Sequence, residues 1–282
     1  MASIAFLGTG LLGAAFVEAA LTRGDQVTVW NRTAAKAAPL ETLGARLAPD
    51  PAAAVRGAAR VHLVLTDDAA VDDVIAQLRS GLAPEAIIID HTTTQPALTA
   101  ERAHRLNAAG VRYLHCPVFI GPPMARKALG TIMASGPAAL FEAVKPALEL
   151  QAATVVYLGE RADLAAVYKL CGNAFLIGIA GLTSDVFAMA RGAGVAPLDA
   201  LTPLEYLNVA VAIAGFGKNM AAGNFAPTFE LAMARKDVRL MLETAAGASM
   251  AVLPGVAARM DTLIAEGFGA SGLAVIGRDA VR

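Results

Sequence analysis

The chain has 282 residues, of which 56% are hydrophobic and 17% charged, with 23 basic residues set against 24 acidic ones. Such a composition excludes extensive disorder, because it can bury enough apolar surface to offset the entropy of ordering. The lack of excess positive charge, or of any Lys/Arg block, speaks against nucleic acid as a partner. At about 150 residues per domain, two domains are expected.

The longest uncharged run, Leu170 to Ser184, is interrupted by Gly172, Asn173, Gly178 and Gly181. It is shorter than the roughly 18 apolar residues that a membrane span requires, so it reads as a buried helix and no membrane is expected. No basic n-region precedes Ser3-Ile4-Ala5-Phe6-Leu7, which suggests a cytoplasmic protein. Cys116 and Cys171 lie far apart and outside any CxxC spacing, so both read as free, buried thiols.

In chain order, short runs rich in β-branched residues suggest strands at Ser3 to Leu7, Gln26 to Trp30, Val61 to Leu65, Ile87 to Asp90 and Val111 to Leu114. Thr131 to Ala134 and Thr154 to Leu158 are expected to complete the same sheet. Crossover helices are expected between them, at Leu11 to Thr22, Ala34 to Leu43, Ala69 to Leu78, Leu98 to Ala109 and Ala138 to Leu150. This alternation predicts an α/β fold with a doubly wound, mostly parallel sheet over residues 1–160. From Ala162 onward no convincing strand occurs, so residues 161–282 are expected to form an all-helical domain. Its helices are expected at Asp163 to Arg191, from Pro197 or Asp199, at Asp237 to Ala246 and at Leu253 to Glu266.

The first strand runs into Gly8-Thr9-Gly10-Leu11-Leu12-Gly13, a GxGxxG that opens a helix. Gly8 permits the tight turn, Gly10 lets the backbone approach a pyrophosphate, and Gly13 allows helix against strand. A Gly-rich turn in any α/β domain is the plain alternative, but strand, glycines, helix and second strand follow in the required order within about 30 residues. The second strand ends at Asn31-Arg32-Thr33 rather than at an acidic residue. A guanidinium there can pair with a 2'-phosphate, with Thr33 and Lys36 as helpers, which favours NADP over NAD. An ordinary solvated arginine at a helix start is the alternative.

Lys169 and Asn173 stand four residues apart on a helix and share a face. Beside apolar neighbours a lysine can have its pKa lowered and serve as proton donor, or it can simply snorkel to solvent; spacing alone leaves both open. The acidic run Asp67, Asp68, Asp72, Asp73 reads as an N-cap with a solvated first turn. His62, His91, His104 and His115 have no ligand spacing, so no metal is expected, although His91 lies beside the expected cofactor loop. Phe216, Met220, Phe225 and Phe229 read as core or dimer packing.

Taken together, these segments resemble the β-hydroxyacid dehydrogenases, which include 3-hydroxyisobutyrate dehydrogenase and the semialdehyde reductases. The likeness covers the glycine motif, Asn31-Arg32-Thr33, Asp90-His91-Thr92-Thr93, Pro117-Val118, Lys169 with Asn173, and Lys236-Asp237. The resemblance implies a Rossmann domain followed by a helical dimerisation domain. It implies Lys169 as catalytic acid/base, Asn173 as the residue orienting substrate, and Leu65, Thr66, Thr93 and Lys236 as further cofactor contacts.

Two departures fall on substrate-handling positions. The family's Ser-Gly-Gly after Pro-Val is replaced by Phe119-Ile120-Gly121, followed by Pro122 and Pro123, and the first asparagine of its Lys-x-x-Asn-Asn is Gly172. Bulk and prolines without N–H donors stand where a carboxylate would be held, so a more apolar substrate pocket lined by Phe119, Ile120 and Gly121 is expected. The imine reductases have a similar Pro-Pro segment but usually carry Asp or Tyr where this chain has Lys169. The expected function is hydride transfer between NADPH and a small carbonyl or alcohol, with an imine reductase or a non-catalytic NADP-binding protein as alternatives. The apolar helical half suggests a homodimer.

Overall fold

The computed structural model describes residues 3–281; residues 1, 2 and 282, at the outer ends of the two expected domains, lie outside it. Two compact units divide the chain, Met1–Asn173 and Ala174–Arg282.

In the first unit, β1 (Ser3–Leu7), β2 (Gln26–Trp30), β3 (Arg46–Leu47), β4 (Arg60–Leu63), β5 (Ile87–Asp90) and β6 (Arg112–His115) form one sheet in the order β3-β2-β1-β4-β5-β6. All its pairings are parallel. Successive β1 side chains feed opposite cores. Ile4 and Phe6 pack with Phe16 of α1 (Leu11–Thr22), whereas Ala5 and Leu7 pack with Val55 of α3 (Pro51–Val55) and Val71 of α4 (Asp68–Leu78). Burial on both faces explains why these strands read as continuous apolar runs. The segment expected as one helix from Ala34 to Leu43 is a 3₁₀ turn, Ala34–Lys36, followed by α2 (Ala38–Glu41).

One expectation about the sheet is corrected. The segments expected to complete it, β8 (Thr131–Ala134) and β9 (Thr154–Tyr157), instead form a second, three-stranded sheet with β7 (Val118–Phe119), which pairs antiparallel to β8. The chain turns from the first sheet to the second at Cys116 and Pro117. Helices α5 (Pro96–Ala108), α6 (Pro122–Ala125) and α7 (Ala138–Leu148) complete the unit, and α8 (Leu164–Gly192) begins in it.

The second unit holds the rest of α8, a 3₁₀ turn at Asp199–Glu205, α9 (Val209–Ala221), α10 (Leu231–Thr244) and α11 (Leu253–Leu263). Its core joins Leu231, Ala234 and Val238 to Leu253, Ala257 and Met260. Asp185, fully buried on α8, accepts the N–H groups of Ala251, Val252 and Leu253 and so caps the entry to α11. Burial alone would raise this carboxyl, but the three backbone donors outweigh it and hold it below the usual range.

Three further expectations need correction. The stretch read as a buried helix is exposed on α8, where Phe175, Leu176 and Ile177 all face outward, and Cys171 is exposed while Cys116 is buried. Among the described residues, Leu164–Gly192 is the one helix long and apolar enough to cross a bilayer by length and composition. The uncharged run is only part of this helix, which extends through Lys169 and Asp185.

Candidate functional site

Parallel strands place their carboxyl ends together: Leu7 of β1 lies beside Trp30 of β2 and Leu63 of β4. Strand order reverses between β1 and β4, and the crevice outside such a switch point is where open α/β sheets bind ligands. A cleft of about 340 Å³ opens there. It is lined by Gly8, Gly10, Leu11, Leu12, Gly13, Asn31, Arg32, Thr33, Lys36, Leu65, Thr66 and Thr93, so it gathers every expected cofactor residue except Lys236.

The glycines divide the work of shaping this cleft. Gly8 has φ +99°, and a Cβ on it would overlap Val64 O; a Cβ on Gly13 would overlap Gly8 O. Both sites are therefore closed by backbone, which cannot swing aside as a side chain can. Around Gly10, in contrast, no protein atom would meet an added Cβ within 4 Å, so the space it leaves faces the cleft. Gly10 also brings no capping side chain to α1, which leaves the first-turn N–H groups without intrahelical acceptors. An open helix N-terminus of this kind suits a pyrophosphate, and the cleft fits a dinucleotide.

Asn31, in the cleft lining, also braces the glycine loop. Its Oδ1 accepts from Thr9 N–H at 2.9 Å and its Nδ2 donates to Thr33 O at 2.9 Å, so the amide straps the glycine loop to the end of β2. Arg32, Thr33 and Lys36 remain exposed at the rim. Asp67 lies close enough to Arg32 for the guanidinium to help keep its carboxyl low, although the Ala70 N–H that it accepts as N-cap of α4 is the larger cause.

The wall also includes His91, which the sequence places beside the cofactor loop, and Thr92. His91 Nδ1 donates to Cys116 O at 2.7 Å and its Nε2 faces His62 Nδ1 at 3.0 Å, within a fully buried pair. Burial lowers both histidines, His91 to about 4, so both are neutral at pH 7. Thr92 Oγ1 accepts from Leu65 N–H at 3.1 Å, and Asp90 accepts from both Thr92 N–H and Tyr113 Oη, which fixes the loop after β5. The acidic run is also more than an N-cap, since Asp68 and Asp72 grip the buried guanidinium of Arg102.

Lys169 and Asn173 form a second cluster, separate from the lining of that cleft. Lys169 Nζ donates to Asn173 Oδ1 at 2.9 Å, and the ammonium is half-buried, which lowers its pKa. Phe119, at the end of β7, places its ring centroid 4.2 Å from Lys169 Nζ. Ile120 is buried and Gly121 opens α6, whose first two residues, Pro122 and Pro123, have no N–H to offer an anion. Lys236, on α10, is paired with Asp237 at 2.9 Å. Among the described residues, no group of three potential ligands could hold a metal.

Residues 3–159 match the family described as the NAD binding domain of 6-phosphogluconate dehydrogenase. The chain belongs to the 6-phosphogluconate and β-hydroxyacid dehydrogenase family. It is an NAD(P)-dependent oxidoreductase by that membership. An uncharacterized oxidoreductase of Bacillus subtilis is 30% identical over 94% of this chain and 95% of its own length. The human cytokine-like nuclear factor N-PAC is also 30% identical, but the match spans only 44% of that protein. Among solved structures, an imine reductase of Streptomyces aurantiacus is 26% identical with a TM-score of 0.88 over 99% of both chains. A reductive aminase of Aspergillus terreus, in complex with NADPH and ethyl levulinate, is 25% identical with a TM-score of 0.88 over all of both chains.

Proposed function

We propose that the chain is an NADPH-dependent reductase of a small carbonyl compound, with an apolar substrate pocket. The half-buried Lys169–Asn173 pair carries this reading. An ammonium whose pKa is lowered by burial is a better proton donor near neutral pH, and its charge stabilises an alkoxide developing on the substrate. When bound, the cofactor supplies the hydride. The first-turn N–H groups of α1 hold its pyrophosphate, Arg32 pairs with its 2'-phosphate, and Thr93, Leu65 and Thr66 wall the cleft. Phe119, Pro122 and Pro123 favour an uncharged substrate over an aldehydo acid, because nothing they contribute pairs with a carboxylate.

The same residues, together with the imine reductase and reductive aminase neighbours, support a second reading in which the acceptor is a C=N bond. NADPH oxidation against aldehydo acids, uncharged aldehydes and ketones, and cyclic imines separates the two. Turnover of uncharged carbonyls is expected; turnover of imines alone favours the second reading, and cofactor binding without turnover of any compound contradicts both. We also infer that a second copy covers the exposed apolar face of α8. Light scattering should then give a dimer, and a monomer would contradict this.

A further inference from the structure

Lys169 Nζ has three N–H donors and no acceptor. One donor goes to Asn173 Oδ1 at 2.9 Å, and the ring of Phe119 covers a second side of the nitrogen at 4.2 Å from its centroid. The negative face of an aromatic ring attracts an ammonium there, more strongly as water is excluded. One N–H remains for a ligand.

What admits the ring is the missing side chain at position 172. A Cβ on Gly172 would overlap Phe119 Cζ and stand 2.8 Å from Cε1. Backbone conformation does not require glycine here, because Gly172 is not among the positive-φ glycines and lies inside α8. Glycine weakens a helix relative to alanine, so its presence at this point matches the space that the ring occupies. No carboxylate or second cation contributes to the shift of Lys169; burial is the sole cause. The groups that hold the ammonium are thus Asn173, one turn along α8, and Phe119 from β7.

We propose that Phe119, admitted by Gly172, is the positioning residue for Lys169, holding its ammonium so that a single N–H is presented to the substrate heteroatom. This rests on Lys169 being the proton donor of the reaction proposed above, but the contact itself can be measured without turnover. The test compares Phe119→Leu, Phe119→Tyr and Gly172→Ala with the unaltered protein and with Lys169→Ala, each checked for folding by circular dichroism.

In cofactor-free protein labelled with ¹³C-lysine, the ε-methylene signal absent from Lys169→Ala should be shifted upfield by the ring. Phe119→Leu and Gly172→Ala should remove that shift, and Phe119→Tyr should keep it. With NADPH and the best carbonyl of the panel, kcat should fall about ten-fold in Phe119→Leu, by a larger factor than KM rises, and Phe119→Tyr should restore kcat. The alkaline pKa of the kcat profile should fall by about half a unit in Phe119→Leu, because the ring favours the charged lysine.

A Phe119→Leu protein with unaltered kcat and pH profile, beside an inactive Lys169→Ala, overturns the positioning role and leaves the reaction standing. Full turnover by Lys169→Ala overturns the reaction instead. If Gly172→Ala does not fold, the Leu and Tyr variants at position 119 decide the matter alone.

Discussion

The cleft beyond β1 and the cluster at the start of α8 are built from different materials. The cleft is shaped by backbone: Gly8 against Val64 O, Gly13 against Gly8 O, and N–H groups held open at the start of α1. The α8 cluster is made of side chains, an ammonium held between an amide oxygen and a ring. Backbone geometry tolerates little change, so the first region keeps a motif that a sequence displays openly. A side-chain cluster can be rebuilt by paired changes, and here the ring of Phe119 fills the space that Gly172 leaves.

The largest effect should follow from breaking the backbone region. Gly13→Ala drives a Cβ into Gly8 O, with no flexible atom to yield. It should weaken NADPH binding by at least about 100-fold or unfold the domain. Trp30, the one tryptophan, lines the cleft, so quenching of its fluorescence by NADPH reads the affinity directly. An affinity within three-fold of the unaltered chain would show that the helix and loop can separate cheaply.

Acid should strike the same wall through its histidines. An unfolded histidine titrates near 6.5 and His91 in the fold near 4, so the unfolded chain takes up more protons as pH falls between them. The stability that depends on neutral His91 is complete above pH 6.5 and is lost on going down through about 4, at a cost of about 3 kcal/mol. His62, lowered in the same direction, adds to it. Urea unfolding measured from pH 7 to pH 4 checks this, and a flat stability across that window would refute it.

A smaller effect is expected at the rim. Arg32→Ala should raise the Kd for NADPH about ten- to thirty-fold, as expected for one charge-assisted contact, and leave NADH binding within two-fold. Equal losses for both nucleotides would remove the 2'-phosphate role.

Legibility followed the same division. Strands β1, β2 and β5, helix α1 and the glycine loop stood in the sequence at nearly their observed bounds, because their signals are local. The partners of β8 and β9 did not, since a short apolar run does not say which sheet it joins. The helix expected from Pro197 or Asp199 is instead a 3₁₀ turn at Asp199–Glu205 followed by α9, which begins only at Val209, where Asn208 Oδ1 accepts from Val211 N–H as its N-cap. Asp68 and Asp72 looked like a solvated turn because their partner, Arg102, lies about 30 residues away. The pairing of Phe119 with Lys169 likewise joins residues 50 positions apart; Phe119 in place of serine and Gly172 in place of asparagine were its traces in the sequence, but nothing local joined the two.

The central claim is that Lys169 is the proton donor of a cofactor-bound reductase, and one comparison tests it most directly: turnover and NADPH affinity of Lys169→Ala beside the unaltered protein. A fall in kcat of about 10² to 10⁴ with NADPH Kd unchanged within two-fold is the expected result. Undiminished turnover, or a loss of turnover that follows a matching loss of NADPH binding, would contradict it.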